Sequence, residues 1–82
     1  MLKIKDDIDL KELEKFGFLK YKIMQHGKVE TKYKKDIRAG AYVVNNYIVG
    51  TDRIIHYNSM SVHNELDDTI YDLIKADLVE KV

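Results

Sequence analysis

The sequence predicts an α+β domain: an antiparallel meander sheet of about three to five strands, with a short N-terminal helix and a longer C-terminal helix packed on one face. Three observations predict it. Apolar residues recur at spacings of three and four near both ends of the chain, and the middle alternates apolar with polar residues at a period of two. Isolated glycines at 17, 27, 40 and 50 then punctuate the segments.

Taken in order, Leu2 and Ile4 alternate with Lys3 and Lys5, a short strand or an extended lead-in. Asp9-Leu10-Lys11-Glu12 has the form of a capping box, in which Asp9 accepts from a first-turn backbone N–H and Glu12 reaches back toward Asp9. Leu10, Leu13 and Phe16, with Ile8 before the cap, form the apolar stripe of a helix of about two turns, and Gly17 is placed to end it in a left-handed conformation. So short a helix depends on packing.

From Phe18 the period changes. Phe18, Lys20, Lys22 and Met24 share one strand face and Leu19, Tyr21, Ile23 and Gln25 the other, so the second, more apolar set is expected to turn inward. His26-Gly27 reads as a tight hairpin turn. Val29, Thr31 and Tyr33 alternate with Lys28, Glu30, Lys32 and Lys34 as a half-exposed strand, and Lys35-Asp36 begins a connection through Ile37 and Arg38 to Gly40. Residues 41–49 have strand composition. Asn45-Asn46 at their centre allows a two-residue turn, and one longer, bulged strand is the favoured alternative. Gly50-Thr51-Asp52 is a turn, Arg53 to Tyr57 a strand, and Asn58 to His63 a polar loop.

The closing helix is the most clearly marked element. Leu66, Ile70, Leu73, Ile74 and Leu78 form one stripe, with Asp67, Asp68, Asp72 and Lys75 opposite it. Asn64 is placed to cap the first turn, where Glu65, Asp67 and Asp68 meet the positive end of the helix dipole. The tail from Leu78 to Val82 is free to leave the helix and add a short strand or cover an edge.

Composition narrows the function classes. At 82 residues the chain is one domain that buries roughly 60% of its unfolded surface. With no cysteine, neither a disulfide framework nor a Cys-based zinc site supplements the core. No apolar run approaches the roughly 20 residues that span a bilayer, and residues 1–7 lack the apolar centre of a signal peptide, so a cytoplasmic protein without a membrane partner is expected. Net charge is zero but unevenly spread, at −2 over residues 1–14, +6 over 15–38, 0 over 39–63 and −4 over 64–82. Mutual neutralisation of basic middle and acidic ends within the fold is the favoured explanation. A basic patch for an acidic partner is the other.

Chemistry finds little support. His26, His56 and His63 form no His-x-x-x-His pair, so no metal or other cofactor is expected. His56, Ser59, Ser61 and His63 lie close together without a strained nucleophile elbow, and serines before a helix serve capping. Asp67, Asp68 and Asp72 lie opposite the apolar stripe and read as a solvated face. No glycine-rich phosphate loop occurs. The alternative with most content is a nucleic-acid site on Lys28, Lys32, Lys34, Lys35 and Arg38, with Tyr33 able to stack only if exposed. Lysines on an exposed strand equally guard against edge-to-edge aggregation.

Residues 10–18, Leu-Lys-Glu-Leu-Glu-Lys-Phe-Gly-Phe, and residues 70–82, Ile-Tyr-Asp-Leu-Ile-Lys-Ala-Asp-Leu-Val-Glu-Lys-Val, resemble the ends of small phage- and prophage-encoded proteins of Gram-positive bacteria. The resemblance covers the two helices, about a third of the chain. It implies a mobile-element origin and a small accessory role, and carries over no residue. Residues 73–81 also echo the helix that leads to the wing of winged-helix DNA-binding proteins, but the chain stops before any wing. The expected function is therefore a non-catalytic binding module acting on a protein partner or on itself, with nucleic-acid binding through residues 28–38 as the alternative.

Overall fold

The computed structural model describes residues 1–59 and 68–82. They form β1 (Leu2–Ile4), a 3₁₀ helix (Leu10–Phe16), β2 (Leu19–Gln25), β3 (Lys28–Ala39), β4 (Tyr42–Val49), β5 (Ile55–Ser59), α1 (Thr69–Lys75) and β6 (Val79–Lys81). The fold is α+β. Strands β2 to β5 lie side by side in chain order, and β1 pairs antiparallel with β6. A bridge from Lys3 to Ile54 ties the small sheet to the entry of β5. The tail thus does leave the helix for a strand.

The first helix winds as 3₁₀ because Leu10, Leu13 and Phe16 recur every three residues, which three residues per turn stacks on one line. Lys11 N–H donates to Asp9 Oδ1 at 3.0 Å, as the cap requires. The other half of the expected capping box is replaced, since Glu12 meets Lys15 Nζ at 2.8 Å, its neighbour three residues on. At the end, Gly17 takes φ 89°, Gly17 N–H donates to Glu14 O at 3.3 Å and Phe18 N–H to Leu13 O at 3.2 Å. This is a Schellman closure, and it presses Phe18 against the residue five before it.

Helix α1 ends in the same way. Asp77 takes φ 61°, its N–H donates to Ile74 O at 3.0 Å, and Leu78 N–H donates to Leu73 O at 3.1 Å. Leu78 therefore folds back on Leu73 instead of continuing the stripe. That corrects two expectations. The described helix has seven residues, no more than the first, and Ile74 is 54% exposed while Thr69 is buried. Asn64, Glu65, Leu66 and Asp67, expected to cap and extend this helix, lie outside the described residues.

In the sheet, His26 and Gly27 both have positive φ, 53° and 76°, as a type I′ hairpin turn needs. Strand β3 does not stop at Lys34. It runs on through Ala39, because a second hairpin with Gly40 at φ 64° returns the chain as the long β4, which pairs with it as far as Ala39↔Tyr42. Asn45-Asn46 is mid-strand. The register passes from Ile37↔Asn45 to Arg38↔Val43 and skips Val44, a bulge on β4. Asn58, expected in a loop, extends β5, where its Nδ2 donates to Asn46 Oδ1 across the strands at 3.0 Å.

Register decides which face is covered. Lys20 lies opposite Tyr33, and Tyr33 opposite Val49, so these three share a face. Tyr33 and Val49 are buried on it with Phe18, Tyr47, Leu13, Leu73, Ile4 and Leu78. Leu19, Tyr21 and Ile23 consequently point to the outer face, against expectation, and Leu19 is 68% exposed. The apolar content of β2 was a poor guide because β3, flanked on both sides, imposes its own alternation.

Arg53 joins the N-terminal arm to the sheet. It sits at φ 66° after the turn closed by Arg53 N–H to Gly50 O, and its Nη1 donates to Lys5 O at 2.8 Å and Ile8 O at 2.6 Å. Ile4 N–H donates in turn to Arg53 O at 2.8 Å. Replacing Arg53 with Ala leaves the part-buried Ile8 carbonyl without its donor, while Lys5 O keeps the Ile8 N–H at 3.1 Å, and is expected to lower unfolding stability by roughly 1–3 kcal/mol in urea titration. Gly17→Ala, where a Cβ would come within 3.3 Å of Lys35 Cε, should lose about 1–2 kcal/mol in the same assay. Asp77→Gly, at the equivalent left-handed position, should change it by less than about 1 kcal/mol.

Candidate functional site

The β2–β3 hairpin carries half of the basic residues of the chain, with seven Lys or Arg and two Asp or Glu over residues 18–39. Its base is held by Phe18 and Tyr33 in the core, while residues 24–29 at its turn are exposed. The His26-Gly27 turn sets Gln25 opposite Lys28 and hence Met24 opposite Val29. These two apolar neighbours share a face and are 77% and 61% exposed. Nothing described in the fold covers them.

The five basic residues expected to form one patch divide between faces. Lys28, Lys32, Lys34 and Arg38 follow the outer face of β3, whereas Lys35 lies on the covered face, opposite Tyr47 and beside Gly17. Tyr33 is buried and unavailable for stacking. The outer row is interrupted by Glu30 and Asp36, and Lys34 Nζ stands 3.8 Å from Asp36 and 5.7 Å from the centre of the Tyr21 ring. Lys20, Lys22, Lys28, Lys32, Lys35 and Arg38 join no ion pair within 4 Å among the described residues.

Among the described residues, the expected neutralisation of middle by ends takes the form of one ion pair, Lys15 with Glu12 at 2.8 Å, and does not reach the hairpin within 4 Å. The acidic groups near the termini bind their own neighbours, Asp6 with Lys3 at 2.9 Å and Asp77 with Lys5 at 2.7 Å. The missed members of the site are Leu19, Lys20, Lys22 and Met24 on β2. The signal was present, since a two-residue turn at His26-Gly27 fixes the register and so the exposed Met24–Val29 pair.

The other candidates remain apart. His26 is in the hairpin turn and His56 on β5, while His63 and Ser61 lie outside the described residues. Asp68 and Asp72 are exposed on α1. Among the described residues no three His, Asp or Glu side chains are grouped to hold a metal ion. No described helix is long and apolar enough to cross a membrane. An apolar cleft of about 320 Å³ is lined by Leu2, Tyr47, Ile55, Tyr57 and Ile70, with the Tyr47 and Tyr57 rings 5.1 Å apart. None of these five is a charged side chain.

A smaller polar pocket of about 130 Å³ lies on the outer face between Glu30, Lys32, Ile48, the Gly50–Asp52 turn and His56. Asp52 organises it. Its Oδ1 accepts from Ile54 N–H at 3.0 Å and its Oδ2 lies 3.1 Å from His56 Nε2. Partial desolvation pushes the Asp52 carboxyl up, but the hydrogen bonds from His56 and Ile54 and the charges of His56 and Lys32 outweigh it and hold the carboxyl below its ordinary range. A depressed carboxyl contributes stability above its unfolded pKa and loses it as pH falls through the folded one. Wild type should therefore lose stability on acidification below about pH 4 more steeply than Asp52→Asn, read by urea midpoints across pH.

No family model, curated protein or solved structure matches the chain.

Proposed function

We propose that the chain is a non-catalytic binding module that acts on another protein through its β2–β3 hairpin. The observation that carries this reading is the hairpin itself, a basic arm that exposes Leu19, Met24 and Val29 beside lysines without ion-pair partners among the described residues. Exposed apolar side chains grouped with unpaired charge are what a surface keeps for recognition. The resemblance of residues 10–18 and 70–82 to phage-encoded proteins adds an accessory role in a mobile element.

Met24→Ser with Val29→Ser tests it. Both positions are exposed, so folding stability should change by less than about 0.5 kcal/mol per site. Wild-type chain should capture a protein from a lysate of the encoding cell that the double variant does not. Wild-type chain that stays monomeric by light scattering and captures nothing refutes the reading.

The second reading is nucleic-acid binding, favoured by the common outer face of Lys28, Lys32, Lys34 and Arg38. It requires binding that weakens with salt and is lost on charge reversal at Lys32 and Lys34. An oligonucleotide left unshifted at low salt removes it. Asp36 and Glu30 within the row, and the burial of Tyr33, weigh against it.

A further inference from the structure

Resting on the protein-binding reading, we propose that the free edge of β2 receives an extended segment of a partner protein, one that alternates apolar with acidic residues. Strand β2 ends the order β2-β3-β4-β5, so its Leu19–Gln25 backbone bonds to β3 along one side and, among the described residues, to nothing along the other. Its register with β3 runs unbroken from Leu19↔Lys34 to Gln25↔Lys28. No bulge twists this edge away and no proline blocks it. A free, regular edge is a template for an added strand, whose main-chain hydrogen bonds give affinity and whose alternate side chains give specificity.

The side chains of β2 indicate which strand fits. Lys20 and Lys22 stand exposed on one face of the edge, and on the other Leu19 is exposed and Tyr21 and Ile23 are half-buried. An added strand therefore meets two ammonium groups on one face and apolar surface on the other, which matches carboxylates alternating with apolar residues. A second copy of the chain is the wrong occupant. Antiparallel pairing of β2 with itself, centred on any of residues 20 to 22, sets a lysine directly against a lysine, an unfavourable contact. The surplus of positive charge on the hairpin also steers an acidic segment to this end of the molecule.

The probe is a capped synthetic peptide, as long as β2, alternating glutamate with valine. One control carries lysine for glutamate. A second keeps every side chain but is N-methylated along one edge, so it cannot donate to β2. The first peptide should bind and protect β2 amides in hydrogen exchange, while the N-methylated peptide, and the Lys20→Glu/Lys22→Glu variant with the original peptide, should each bind at least about tenfold more weakly. Equal binding of the N-methylated peptide reduces the effect to charge adsorption and overturns the proposal, as does no binding of the first peptide. Protection mapped to the outer face instead overturns the edge assignment but leaves the protein-binding reading standing. Binding of a single-stranded oligonucleotide with none of either acidic peptide overturns both.

Discussion

Two left-handed residues, Gly17 and Asp77, set the geometry on which the rest of the molecule depends. Each closes a seven-residue helix by the same pair of backbone hydrogen bonds, and each folds the following apolar residue back on a leucine five positions earlier. The results are the pairs Leu13–Phe18 and Leu73–Leu78, four of the eight buried apolar core residues among those described. Neither helix is long enough to be stable by itself, so this closure holds each one in place by tertiary packing. It also aims the chain directly into β2 in the first case and β6 in the second.

What the closures place, Arg53 ties together. Leu78 and Ile4 bring β6 and β1 against the sheet, yet among the described residues this two-stranded sheet meets the meander in strand pairing only where Lys3 bridges Ile54. The guanidinium compensates by binding two carbonyls of the segment that leaves β1. A charged donor held by part-buried acceptors is stronger than a neutral backbone bond, and here it acts at the one seam where few backbone bonds cross. The positive φ of Arg53 belongs to the same arrangement, since it brings the Arg53 carbonyl to the Ile4 N–H.

The core is consequently gathered at the β1, β5 and helix end of the molecule, and the far half of the β2–β3 hairpin lies beyond it. Charge follows the same division. Asp6 and Asp77 pair with Lys3 and Lys5, while most of the hairpin's lysines have no ion-pair partner within 4 Å among the described residues. The β2 edge there is regular, with Lys20 and Lys22 on one face and Leu19, Tyr21 and Ile23 on the other.

The sequence by itself determined the local features: the Asp9 cap, the Gly17 stop, the His26-Gly27 turn, the strand alternation and the outward lysines of β3. Each follows from the residue's own backbone preferences or from periodicity over a few positions, so neighbouring residues suffice to read it. Tertiary structure decided the inward face of β2, the run of β3 past Lys34 and the left-handed turn at Asp77. In those cases the locally apolar, irregular or helical choice was overruled by a strand pairing or a core contact made with residues far away in the chain. Leu19 is the clearest instance, since its hydrophobicity favoured burial and the register imposed by Tyr33 and Val49 left it facing water.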